Sequence, residues 1–113
     1  MKLIYLSVIL FIGLATQVFA LDHLVISQVL YDPIKTETGG EAIELYNPSI
    51  KDINLQSYTI KTKTSTTDVI LPNETIKSKG FYLIGDSGWS LNKDNITYSI
   101  ADYEDTFTLV NID

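Results

Sequence analysis

From His23 onward the chain is written in short apolar runs broken by glycine, proline, asparagine and aspartate. "HLVISQVLY" (His23 to Tyr31) is stopped by Asp32-Pro33. "EAIELYN" (Glu41 to Asn47) opens after the Gly39-Gly40 turn and ends at Pro48, which cannot donate to a strand ladder. "SYTIKTK" (Ser57 to Lys63) and "DVILP" (Asp68 to Pro72) alternate apolar and polar positions, with the polar "KTKTSTTD" between them as a hairpin tip. "GFYLIGD" (Gly80 to Asp86), "ITYSIA" (Ile96 to Ala101) and "DTFTLVNI" (Asp105 to Ile112) complete the set. β-Branched and aromatic residues at this spacing predict strands, and no window sustains the i, i+3, i+4, i+7 pattern that a helix needs. The fold class predicted is all-β, a two-layer sandwich.

Alternation also assigns faces, because residues of one parity share a side of a strand. In "EAIELYN", Ile43 and Leu45 share the core side, while Ala42, Glu44 and Tyr46 share the other. Glu41 and Glu44 differ in parity, so one strand cannot bring them together as a catalytic carboxylate pair. Glu44 is expected on a solvated face and Glu41 at the strand mouth beside the glycine turn.

The first twenty residues change the picture of where this fold resides. Lys2 precedes the apolar "LIYLSVILFIGLATQVFA", which closes on Val18-Phe19-Ala20. A positive start, an apolar stretch and small residues at the end describe a signal peptide, with cleavage expected after Ala20. The domain then covers residues 21–113 and is secreted or held at the cell surface. The alternative is an uncleaved membrane anchor formed by residues 3–18. Two sequons, at Asn73 and Asn95, matter only in a host that glycosylates secreted proteins.

Composition excludes several chemistries. There is no cysteine, hence no disulfide and no thiolate nucleophile, and the single histidine, His23, cannot build a multi-histidine metal centre. No nucleophile motif surrounds His23, no cofactor motif is present, and no enzymatic activity is expected. Net charge is −6, with fourteen acidic side chains and no arginine. Such a surface repels phosphate backbones unless its lysines cluster, so nucleic acid is not an expected partner for this chain alone. Lys61 with Lys63, and Lys77 with Lys79, form two local basic spots that are candidates for weak contacts. Trp89, after "GDSG", can stack on a ligand or close one end of the sandwich. Asp102, Glu104 and Asp105 in "DYEDT" are the candidates for calcium, although their spacing is not that of an EF-hand loop.

The ordered series from Leu24 to Ile112 resembles the lamin tail domain family, in its prokaryotic secreted form. The residues carrying the resemblance are Ile43-Glu44-Leu45 with Asn47, then Leu55 with Tyr58 and Ile60. Leu71-Pro72, Thr75-Ile76-Lys77 before Gly80, the "FYLIG" strand and the opening "HLVISQVLYDP" continue the series. The resemblance implies an immunoglobulin-like β-sandwich without an inter-sheet disulfide, and a non-catalytic module with no shared catalytic residues. Its expected partner is another protein or a surface glycan. The alternative is an accessory domain that recruits substrate to a secreted nuclease or other hydrolase. In the family one more strand normally follows the last one seen here. The resemblance therefore predicts an unpaired edge at Asp105–Ile112, with Phe107, Leu109 and Ile112 beside unpaired backbone groups, and either a longer protein of which this chain is a fragment or self-association along that edge.

Overall fold

Strand β2 (Ala42–Tyr46) is the centre from which the molecule is built. It lies between β1 (Val25–Leu30) and β7 (Phe81–Asp86), antiparallel to both, and β8 (Tyr103–Asp105) adds to β7 in parallel. This computed structural model describes residues 21–63 and 69–109. The segment predicted as a signal peptide (1–20), most of the predicted hairpin tip (64–68) and the last residues (110–113) lie outside the described residues.

The second layer is one long, interrupted hairpin. Its first arm carries β3 (Ile53–Asn54) and β4 (Thr59–Ile60), its second β5 (Val69–Ile70) and β6 (Thr75–Ile76). β3 pairs with β6 and β4 with β5, both antiparallel. Between the paired steps the arms stay linked, with Leu55 N–H donating to the Glu74 carbonyl and Leu71 N–H to the Tyr58 carbonyl. Tight bends at Leu55–Tyr58 and Pro72–Glu74 break the regular ladder, which is why each step is only two residues long.

The two layers close on one apolar core. Ile43 and Leu45 from β2 and Tyr82 and Ile84 from β7 face Leu55, Ile60, Val69, Leu71 and Ile76 from the hairpin, and Phe107 caps one end. The parity assignment for β2 holds: Ile43 and Leu45 are buried, and Glu44 lies on the opposite, half-covered face. The result is an all-β, immunoglobulin-like sandwich without a disulfide.

Two predicted strands differ. Residues 96–101 form no strand. The Asn95 side chain accepts the Thr97 N–H and hydroxyl, which curls the chain, and the Ser99 carbonyl is taken by the Trp89 indole. Side chains thus occupy backbone groups that a ladder would need. The last strand is Tyr103–Asp105, earlier than the predicted Asp105–Ile112, and residues 106–109 are irregular. A single helical turn, α1 (Trp89–Asn92), was not predicted and is too short for periodicity to register.

Candidate functional site

The residues singled out by sequence do not converge. Trp89 begins α1 and is 2% exposed. Its indole N–H donates to the Ser99 carbonyl at 2.9 Å, and Tyr98 stacks beside it with ring centres 6.2 Å apart. The indole seats over Gly85, where any Cβ would meet Trp89 Cβ at 2.5 Å. Trp89 is therefore a packing residue at one end of the sheet, and the aromatic surface left there belongs to Tyr98.

The lysines occupy separate places. Lys61 and Lys63 are exposed beyond β4. Lys77 pairs with Asp52 at 2.9 Å, and Lys79 donates to the Pro48 carbonyl. Lys77 and the Ser78 N–H together hold the Asp52 carboxyl below its usual range. The acidic trio is dispersed in its tasks as well. Asp102 accepts the Leu83 N–H, and Asp105 accepts the Thr106 N–H. Glu104 takes the Ser90 hydroxyl and the Ser90 and Gly88 N–H groups at the start of α1, which lowers its pKa. Among the described residues no group of three or more acidic or histidine side chains is arranged to hold a metal ion. His23 is exposed, 3.6 Å from Asp22.

Two features stand out instead. The first is the outer side of β1. This strand is an edge of the sheet, and among the described residues no strand pairs with its free side. Ile26 and Val29 pair with Leu45 and Ile43 of β2 yet are 58% and 47% exposed. An apolar groove of about 290 Å³ runs there between β1 and β4, lined by Leu24, Ile26, Leu45, Tyr58 and Leu71 among others. A bulge at Ser27 shifts the register of β1, and the Ser27 hydroxyl reaches across to the Glu44 carboxylate at 2.6 Å.

The second feature lies at the Gly39-Gly40 end of β2. Glu41 is 1% exposed, against the expectation of a strand-mouth position. The cross-strand register places it opposite Asp86 of β7, which is also buried. Parity within one strand separates Glu41 from Glu44 but does not bear on a pair across two strands. The signal was present: Glu41 shares parity with Ile43 and Leu45, and Asp86 with Tyr82 and Ile84.

Backbone donors hold this pair of carboxylates. Gly39, turned at φ 77°, gives its N–H to Asp86 Oδ2 at 2.6 Å. Asp86 Oδ1 accepts from Ser87 N–H at 2.7 Å and from Phe107 N–H at 3.3 Å. Leu109 N–H donates to Glu41 Oε2 at 2.8 Å. The segment predicted as a free edge therefore has two of its donors occupied, at Phe107 and Leu109, and Phe107 is buried in the core. Glu41 Oε1 is buried and has no partner among the described residues. Burial pushes the Glu41 carboxyl up, and the nearby charges of Glu37 and Asp86 push the same way. The carboxylates open on a cleft of about 260 Å³, whose other walls are Thr38, Ser87, Phe107 and the hydroxyl-bearing Thr106 and Thr108. With both oxygens of Asp86 bonded to backbone donors, the buried pair offers one unpartnered carboxylate oxygen, that of Glu41, and the exposed Glu37 carboxylate stands at the same cleft.

The sequence model of the family described as the lamin tail domain matches residues 17–113. No curated protein and no solved structure matches the chain.

Proposed function

The chain belongs to the lamin tail domain family, a family of non-catalytic immunoglobulin-like domains, and from that premise we propose that it is a secreted or surface-held attachment module. It takes an extended segment of another protein against the outer side of β1. The observation that carries this reading is the free edge of β1, where Ile26 lines the apolar groove and Val29, further along the same strand, is likewise exposed. Unpaired backbone groups supply affinity in strand addition, and pockets for alternate side chains supply selectivity. The six-residue length of β1 gives enough ladder for such pairing. Support for secretion comes from the signal-like first twenty residues.

This reading moves the associating edge from Asp105–Ile112 to β1. Recruitment of nucleic acid to a hydrolase is the weaker reading, because Lys77 and Lys79 are engaged within the domain and stand apart from Lys61 and Lys63.

The test is a fluorescent reporter fused to the C-terminus, with the retained and released fractions measured on intact cells. The unaltered chain should be retained, and N-terminal sequencing of released material should begin at Leu21. Ile26→Lys with Val29→Lys should release the reporter, whereas Ile96→Lys, on an exposed loop, should not. Equal retention of all three would overturn the proposal.

A further inference from the structure

The acidic cleft raises a question separate from the β1 edge: what balances its charge. Glu41 is nearly inaccessible, its Oε1 has no partner, and Glu37 and Asp86 bring two more carboxyl groups to the same cleft. A buried carboxylate without full pairing is costly, and the usual remedies are a counter-charge or a proton.

We propose that this cleft holds a primary ammonium group, the chemistry of a lysine side chain on a partner protein or of a free alkylamine. The donor set discriminates among cations. Calcium demands six to eight oxygens in a shell of about 2.3–2.6 Å, and the described acidic side chains do not converge in that way. A guanidinium is best met by two parallel oxygens of one carboxylate, and of the two buried carboxyl groups Asp86 has both oxygens committed and Glu41 one, which leaves such a pair only on the exposed Glu37 and away from the unpartnered Glu41 oxygen. An ammonium is a compact point charge with three rotatable donors. Glu41 Oε1 can take one, the Glu37 carboxylate a second, and a hydroxyl such as that of Thr38 or Thr108 the third. The raised affinity of Glu41 for its proton agrees with a site that is short of positive charge. The proposal does not depend on the β1 reading, since the cleft and the β1 groove share no lining residue.

The experiment is a titration of the purified, isotope-labelled protein with n-butylammonium chloride, followed by amide resonances and by the Glu41 side-chain carboxyl carbon. Saturable shifts should appear at Gly39, Phe107 and Leu109, together with a Glu41 carboxyl shift toward the ionised form. Neutral n-butanol and tetramethylammonium, which lacks N–H donors, should produce neither. Glu41→Gln should weaken binding at least ~10-fold, equivalent to about 1.4 kcal/mol. Glu37→Gln, at an exposed position, should weaken it by a smaller factor and keeps the test open should the Glu41 variant fail to fold. Repeating the titration with Nα-acetyl-lysine methylamide and with putrescine separates a protein-borne lysine from a free amine by which binds more tightly. No saturable shift, equal shifts with n-butanol, or binding unchanged in both variants would overturn the proposal. Loss of β1-dependent retention would leave it standing, and failure of this titration would leave the attachment reading standing.

Discussion

β2 is bounded at its two ends by buried polar residues of opposite character. At the far end Asn47, 0% exposed, uses its whole side chain. Its amide donates to the carbonyls of Lys51 (2.7 Å), Ile76 (3.1 Å) and Lys77 (3.2 Å), and its oxygen accepts the Ser49 N–H and hydroxyl. At the near end Glu41 has one oxygen bonded to Leu109 N–H and the other bonded to nothing. Asn47 is neutral and satisfied, and it ties the turn after β2 to the end of β6. Glu41 is ionisable and half-satisfied beside a second carboxylate. Burial alone does not separate scaffold from site; the accounting of donors and acceptors does.

The middle of the strand sets the scale against which the two ends are measured. Leu45→Ala should destabilise by roughly 2–5 kcal/mol, the range for deleting a large core side chain. Denaturant midpoints at constant slope would give the value. Asn47→Ala should come next, at roughly 2–4 kcal/mol, because each buried group left unpaired costs about 1–3 kcal/mol and several are involved. A loss below about 1 kcal/mol would mean water replaces the amide without penalty, and the contrast between the ends would collapse.

Glu41→Gln should change stability by no more than about 1 kcal/mol near neutral pH, since glutamine keeps an acceptor for Leu109 and removes a poorly solvated charge. Its pH dependence is the sharper measurement. A carboxyl raised above its ordinary 4.5 in the fold favours folding while protonated, and that contribution is lost as pH rises through the folded value. Unfolding free energy should therefore decline over that window in the unaltered protein, and the decline should be absent in Glu41→Gln. Glu104 carries the opposite sign. Held below 4.5 chiefly by the Ser90 hydroxyl, it contributes stability above that value that is lost as pH falls through the folded one, so Glu104→Gln should flatten the acid limb. The same slope in the unaltered protein and both variants would show that neither carboxyl is linked to folding.

The smallest effect is expected at Glu44→Gln, within about 0.5 kcal/mol as for most surface changes. Equilibrium unfolding of Glu44→Gln beside Glu41→Gln tests the face assignment directly. A Glu44 loss larger than that of Leu45→Ala would put the wrong side of β2 in the core.

The sequence by itself determined the strand-forming segments around β1, β2 and β7, the core side of β2 and the family. Each of these rests on local alternation, on stop signals such as Pro48, or on a series of short motifs that survives without knowledge of neighbours. Tertiary structure decided the rest. Residues 96–101 alternate like a strand, but Asn95 and Trp89 take their backbone groups, and only the folded chain brings Trp89 to Ser99. Asp102, Glu104 and Asp105 are adjacent in sequence, yet each is drawn to a different backbone donor. Glu41 and Asp86 are far apart in sequence and meet only through the β2–β7 register. A strand's own alternation says which side a residue faces. Which residue stands opposite it, and whether every buried oxygen there finds a donor, is fixed only when the second strand and the segment after β8 are in place.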